Sequence, residues 1–244
     1  MVHVKIIIVT TILSFILLGC VNNKDGAIDN TPIHLYSLAK KELINGNYKR
    51  AIKELEKVNQ CHPFSIYAQK AQIDLIYAYY KSDDSSLVTT FSDRFLRLNP
   101  THPNIDYILY IRGLTSMEMD GNPVFGYFGL DQSCCNPEHA KIAFQDFKKL
   151  ILHYPHSQYA LDATKRLIYL KHRLAKHELC IVKYYTARGA YVAVINRVEK
   201  MLQDFPDTQA TLNALPYMEK AYRALQLNNL ANKVEKIIEI NRRV

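Results

Sequence analysis

The chain is poor in glycine, with 8 in 244 residues, and no stretch alternates polar and apolar side chains for long. Both absences argue against a β-sandwich or barrel, which needs period-two strands and frequent tight turns. Cysteine is also sparse. Beyond Cys20 there are only Cys61, Cys134, Cys135 and Cys180, too few for a disulfide scaffold even in an oxidising compartment. Cys134 and Cys135 are neighbours and would bridge to each other only under strain. A zinc site drawn from Cys135, His139, His153 and His156 lacks the tight paired spacing of structural zinc motifs, so no metal is expected. After residue 19 there is no second long apolar run, so the body is expected to be tethered to a membrane and not to span it. Catalytic signatures are missing too. There is no glycine-rich phosphate loop, no G-x-S-x-G elbow and no H-E-x-x-H helix. Asp83-Asp84 and Asp74 are paired carboxylates only by proximity, and a helix end explains the Asp83-Asp84 pair better, because Asp caps a helix and suits its dipole. No enzymatic activity and no cofactor are expected.

What is present begins at the amino terminus. Lys5 and the terminal amine form a short positive region, and Ile6 to Leu18 is apolar apart from Thr10, Thr11 and Ser14. That run is too short for a bilayer, which takes about 20 apolar residues, but suits a secretory signal. It closes in Leu17-Leu18-Gly19-Cys20, which resembles a bacterial lipobox. The expectation is cleavage after Gly19, with Cys20 as the lipid-bearing first residue of the remaining 225. Val21 stands where an Asp would resemble an inner-membrane retention signal, so sorting to the outer membrane is expected. Residues 20–32 are polar and unpatterned and read as a tether.

From Ile33 onward helical periodicity dominates. Leu35, Leu38, Ala39 and Leu43 share one helix face, and Ile52, Leu55 and Val58 repeat the pattern after a Gly46-Asn47 break. A repeat becomes visible when residues are counted back from four prolines, Pro63, Pro100, Pro155 and Pro206. Twelve positions earlier stand Ala51, Val88, Ala143 and Val194, all small or β-branched; five positions earlier stand Val58, Phe95, Leu150 and Met201, all apolar. Gly46 and Tyr48 lie 17 and 15 residues before Pro63, as Gly189 and Tyr191 do before Pro206. Each proline ends a helix, and the small residues allow close helix packing. This is the logic of tetratricopeptide repeats, helix–turn–helix units of about 34 residues. The expected fold is all-α: a right-handed α-solenoid of about five such hairpins. The proline spacings of 37, 55 and 51 stretch the later units. The extra length is assigned to a loop at 119–137, dividing N-terminal repeats (33–118) from C-terminal repeats (138–244), and to a long helix from about Asp162 to Tyr185. A last hairpin is expected from about Gln209 to Asn241.

Charge is uneven. Residues 165–200 hold nine Lys or Arg against Glu178 and Glu199, a net of +7 out of +8 for the whole chain. An exported chain meets no genome, so nucleic acid is not expected; an acidic protein partner or an anionic envelope surface is, against the blander reading of a solvated helix face. Tyrosine is abundant, with 17 residues, densest in Leu75-Ile76-Tyr77-Ala78-Tyr79-Tyr80. Such rings fill repeat interfaces, and their polar tips also suit a groove for partly apolar peptides.

Several collinear stretches then carry a resemblance. They are Leu75 to Lys81, Arg94-Phe95-Leu96-Arg97-Leu98-Asn99-Pro100-Thr101-His102-Pro103-Asn104-Ile105-Asp106-Tyr107, Asp162 to Leu167, Gly189 to Glu199 and Phe205 to Ala210. Together they resemble the BamD family, lipoproteins of the β-barrel assembly machinery. The resemblance implies a non-catalytic scaffold, lipid-anchored on the periplasmic face of the outer membrane. It implies binding of the periplasmic POTRA domains of BamA, of unfolded outer-membrane β-barrel proteins and, where present, of a BamC-like lipoprotein. Carried onto this chain, Tyr67, Asp74, Tyr77 and Arg97 become candidates for the substrate groove, and Arg188 and Arg197 for the BamA contact. Cys134-Cys135 departs from what the family leads one to expect in the loop. The competing expectation is a wall-associated lipoprotein whose basic face holds anionic polymers through salt-sensitive binding.

Overall fold

Helix boundaries in the computed structural model, which describes residues 30–121 and 133–242, follow the proline and glycine punctuation. Gly19, Cys20 and most of the tether lie outside the described residues, as do Phe125, Tyr127 and Phe128 of the expected loop. The described residues form ten helices and no strand. They are α1 (Pro32–Ile44), α2 (Tyr48–Cys61), α3 (Ala68–Lys81), α4 (Ser85–Leu98), α5 (Ile105–Asp120), α6 (Glu138–His153), α7 (Ala160–Ala187), α8 (Tyr191–Asp204), α9 (Gln209–Ala224) and α10 (Asn228–Arg242). Each helix packs on the one before and the one after it, giving five hairpins in a row. No described helix is long and apolar enough to cross a membrane.

The repeat has a physical basis at every position. Ala51, Val88, Ala143 and Val194 are all fully buried, as are Val58, Phe95, Leu150 and Met201, so second helices meet first helices over small side chains. The turn after each second helix is built the same way four times. His62, Asn99, Tyr154 and Phe205 leave the helical region just before the proline, as the proline ring requires of its predecessor. Their carbonyls accept from Ser65, His102, Ser157 and Thr208. The turns within hairpins need a left-handed residue, supplied by Gly46 and Gly189 and also by Asp83 and Gln226. Asp84 then caps α4 by accepting from the Leu87 amide at 3.1 Å, which fulfils the reading of Asp83-Asp84 as a helix-end feature.

Two expectations shift at their edges. Helix α5 runs through Asp120, two residues into the expected loop, because its apolar face continues to Met117 against α6. Helix α7 extends two residues beyond the expected helix at either end. Where α5 and α6 cross, Gly113 lets the Phe147 ring approach so closely that a Cβ would sit 2.8 Å from it.

The core divides into two hydrophobic clusters that meet on α7, one ending at Leu174 and the other starting at Ala175. A clamp sits at this junction. Arg173 pairs with Asp120 of α5 at 3.1 Å and donates to the Ser133 carbonyl at 3.2 Å, and His177 Nδ1 donates to the same carbonyl at 3.2 Å. Burial pushes the His177 imidazole below its ordinary pKa, which keeps it neutral. One turn further along, Cys180 is disulfide-bonded to Cys134, and among the described residues Cys61 and Cys135 are exposed thiols. Positions 173, 177 and 180 share one face of α7, so residues 133–134 are fastened at three successive points.

Candidate functional site

The first helices of successive hairpins present their tyrosines on a common face. Along α3 and the residue that precedes it, positions 67, 70, 74 and 77 recur at helical spacing, and Tyr67, Asp74 and Tyr77 are all half-buried there. Tyr36 of α1 joins them: its ring lies 5.3 Å from Tyr67, and its hydroxyl donates to Asp74 at 2.8 Å. Lys40 approaches the same carboxylate at 3.3 Å. Tyr77 meets Tyr48 edge-on at 6.3 Å. On the next first helix, Tyr107 lies 5.7 Å from Tyr159, and Tyr110 stacks on Tyr159 at 4.6 Å. The Tyr110 hydroxyl donates to Asp162 at 2.8 Å, and Arg166 pairs with that same carboxylate. Tyr80 reaches from α3 to Glu118 of α5 at 2.9 Å. The result is a ladder of half-buried rings from α1 to the start of α7, with several of its polar tips bound to carboxylates.

Burial and neighbouring groups raise the pKa of several of these phenols. Burial, then a carboxylate partner, pushes Tyr80 up to about 12 and Tyr36 further. Burial, then the neighbouring Tyr159, raises Tyr107. Asp162 moves the other way, because Arg166 and then Tyr110 bond its ionised form. Neutral phenols on apolar rings can stack on aromatic side chains and exchange hydrogen bonds with peptide groups. They supply no activated nucleophile. Among the described residues no group of three or more His, Cys, Asp or Glu could hold a metal ion.

Arg97 stands apart from this ladder. Helix α4 turns Val88, Ser92 and Phe95 inward, and Arg97, two positions past Phe95, is exposed on the opposite side. Conversely, Tyr36, Tyr107, Tyr110 and Tyr159 belong to the ladder although sequence reasoning did not select them. For Tyr107 and Tyr110 the signal was their i, i+3 spacing, which mirrors that of 74 and 77; Tyr36 and Tyr159 carried none.

The basic stretch is less free than its composition implies. Arg166 pairs with Asp162, Lys171 with Asp207, Arg173 with Asp120 and Arg197 with Glu178. Three of those four acids lie outside residues 165–200, so a count of that window missed them. Lys165, Lys176, Lys183, Arg188 and Lys200 remain exposed. Arg188 caps α7 with its guanidinium 5.0 Å from the Tyr184 ring centre, and Arg197 holds Glu178 at 2.9 Å, linking α8 to α7. A groove of about 540 Å³ runs between α7, α9 and α10, lined by Leu179, Lys183, Leu212, Pro216 and Tyr217. Pro216 lies inside α9, where it removes the amide that would bond the Leu212 carbonyl.

Hairpins in series with an aromatic face define a helical-repeat protein, and sequence relatives narrow it further. Residues 28–237 match the family described as YfiO, outer membrane lipoprotein. The outer membrane protein assembly factor BamD of Vibrio cholerae is 41% identical over 226 residues, covering 93% of this chain and 94% of that one. The BamD proteins of Pasteurella multocida and Neisseria meningitidis serogroup B are 41% and 36% identical, covering 94% and 97% of this chain and 88% and 91% of theirs. The chain belongs to this family of outer membrane lipoproteins.

Proposed function

We propose that this chain is a non-catalytic assembly factor for outer-membrane β-barrel proteins, in which the tyrosine ladder receives an extended segment of the unfolded barrel chain. The observation that carries this is the succession of rings: Tyr36 meets Tyr67, Tyr80 reaches from α3 to α5, and Tyr107 and Tyr110 meet Tyr159 just before α7. An extended segment rich in apolar and aromatic side chains stacks on such rings and bonds its amides to their hydroxyls. Tyr67, Asp74 and Tyr77 are groove residues in this reading, extended by Tyr107 and Tyr110. Arg97 lies on another surface and serves as a separate polar contact. The C-terminal half docks the POTRA domains of BamA through Arg188 and Arg197, and a BamC-like lipoprotein lies along the surface where the organism has one. Cys20, lipidated after cleavage at Gly19, ties the body to the periplasmic face of the outer membrane.

A peptide copying the C-terminal segment of a barrel protein tests the groove. Tyr77→Ala and Tyr107→Ala should each weaken its binding by about 1 kcal/mol, roughly fivefold. Equal affinity in the double variant would remove the ladder from substrate capture. For the second surface, Arg197→Glu should abolish copurification of BamA, while Glu178→Gln should leave it intact. Equal loss in both would mean that Arg197 acts only by holding Glu178. A wall polymer reading fits less well, since four of the nine basic residues are neutralised within the chain. Binding to wall material that falls steeply with salt and ignores Arg197 would restore it.

A further inference from the structure

The four proline turns share one backbone, yet the first differs in what it exposes. Phe64 is 100% exposed and Ile66 is 79% exposed. In the three sister turns, Thr101, His156 and Asp207 stand where Phe64 does, and Pro103, Gln158 and Gln209 stand where Ile66 does. The turn therefore forms without large apolar residues at these two places, and their presence in the first turn answers to something outside the repeat. Two large apolar side chains two residues apart on a protruding turn form a small apolar patch, and covering it would be favourable.

The same end of the first hairpin is where the chain arrives from its amino terminus. His62, the residue before Pro63, has its Nε2 2.6 Å from the Asn30 carbonyl, so the turn and the point of arrival touch. Ile33, 57% exposed on the first turn of α1, adds a third apolar side chain at this end, and exposed Lys70 follows Ile66 by one turn of α3. Ten residues separate Cys20 from Asn30, a reach of at most about 35 Å when fully extended. A lipid on Cys20 thus holds this corner of the solenoid nearer the bilayer than any other described part can be obliged to lie.

Building on the lipid-anchored reading above, we propose that Phe64 and Ile66 insert into the membrane interface, forming a second foothold beside the lipid. Phe64 enters the boundary between headgroups and acyl chains, Ile66 and Ile33 rest against it, and Lys70 faces the lipid phosphates. A turn suits this role because it protrudes, while a groove would suit a peptide. Two contacts at one corner would also fix the tilt of the solenoid, which a lipid on a chain of ten residues leaves open.

The chain contains no tryptophan, so one introduced ring reports alone. Phe64→Trp is made in the full, acylated protein and reconstituted on vesicles of phosphatidylethanolamine and phosphatidylglycerol. Ile44→Trp, at a similarly exposed position (82%) on the opposite end of α1, serves as the control. The expected result for Phe64→Trp is a shift of indole emission to shorter wavelength and quenching by brominated acyl chains, with neither effect in Ile44→Trp. Emission from Phe64→Trp that stays unshifted and open to a water-soluble quencher, on protein that sediments with the vesicles, would overturn the foothold and leave the lipid anchor standing. A shift without quenching by brominated acyl chains, appearing only on adding a protein partner, would overturn it in favour of a protein contact. Protein that fails to sediment at all would instead refute the anchor, and the foothold with it.

Discussion

The two halves of the solenoid hold themselves together by different means. Up to Leu174 the core is the larger of the two, with Phe95 and Phe147 fully buried, and it is crossed by a polar strut in which Arg112 of α5 engages Asp146 of α6 and Asp93 of α4. From Ala175 onward the core is smaller and buries no phenylalanine, with Met201 and Met218 set among Ala175, Ala214, Ala221 and Ala231. No buried strut crosses that second core among the described residues; its ion pairs are partly exposed, and the disulfide fastens its edge. The tyrosine ladder belongs wholly to the first half, and Arg188 and Arg197 belong to the second. Ring geometry needs a rigid backing, which packed aromatics and a satisfied ion pair supply. A docking surface built on alanine and methionine packing tolerates adjustment better. The contrast teaches that one repeat can be tuned toward rigidity or adaptability without altering its outline.

The largest effect that would break this contrast comes from the strut. Asp146 is 1% exposed and bonded through both oxygens, so Asp146→Ala leaves the Arg112 guanidinium buried without its main partner. We expect a loss of about 3–5 kcal/mol, with hydrogen exchange rising first in α4 to α6. Equal loss of protection across both halves would show that the two cores do not unfold separately.

The disulfide comes next. It joins residues 46 apart in sequence, and replacing Cys134 and Cys180 by Ser should cost about 2–4 kcal/mol, with exchange rising around the middle of α7. Reductant should reproduce the effect in the unaltered chain and do nothing further to the double variant. A smaller cost is expected from Gly113→Ala, which forces the Phe147 ring away from α5 and should lower stability by about 1–3 kcal/mol.

Alkaline pH should produce the mildest effect. Six of the seven tyrosines with raised pKa values, namely Tyr36, Tyr79, Tyr80, Tyr107, Tyr110 and Tyr159, belong to the first half, and Tyr222 to the second. The folded chain keeps these protons above the ordinary value of about 10, so their contribution is complete below pH 10. It should fall as pH rises from there through Tyr80 at about 12. Tyrosinate absorbance followed together with exchange should show the first half loosening before the second.

Much of this was legible in the residue order. The four prolines and the residues 12 and 5 positions before them located buried contacts in the first four hairpins, because a helix end and a close crossing each admit few residue types. The candidate groove was half legible. Tyr67, Asp74 and Tyr77 lie along one helix and its start, so helical spacing alone relates them. Tyr36 stands 38 residues before Asp74, and Tyr159 stands 52 residues after Tyr107; only the stacking of hairpins brings such rings alongside.

Charge shows the limit most clearly. Composition correctly marked residues 165–200 as basic, but Asp120 and Asp207, which neutralise Arg173 and Lys171, come from helices and turns far along the chain. The Cys134–Cys180 bridge is a case of the same kind, since spacing cannot decide which of several thiols meet. The residue order by itself determined the repeat, its register and the helix ends, all set by local sterics and short-range periodicity. The tertiary structure alone decided which tyrosines form one surface, which charges remain free and where the two cores join. Those properties depend on side chains brought together by stacking, across separations to which a linear pattern is blind.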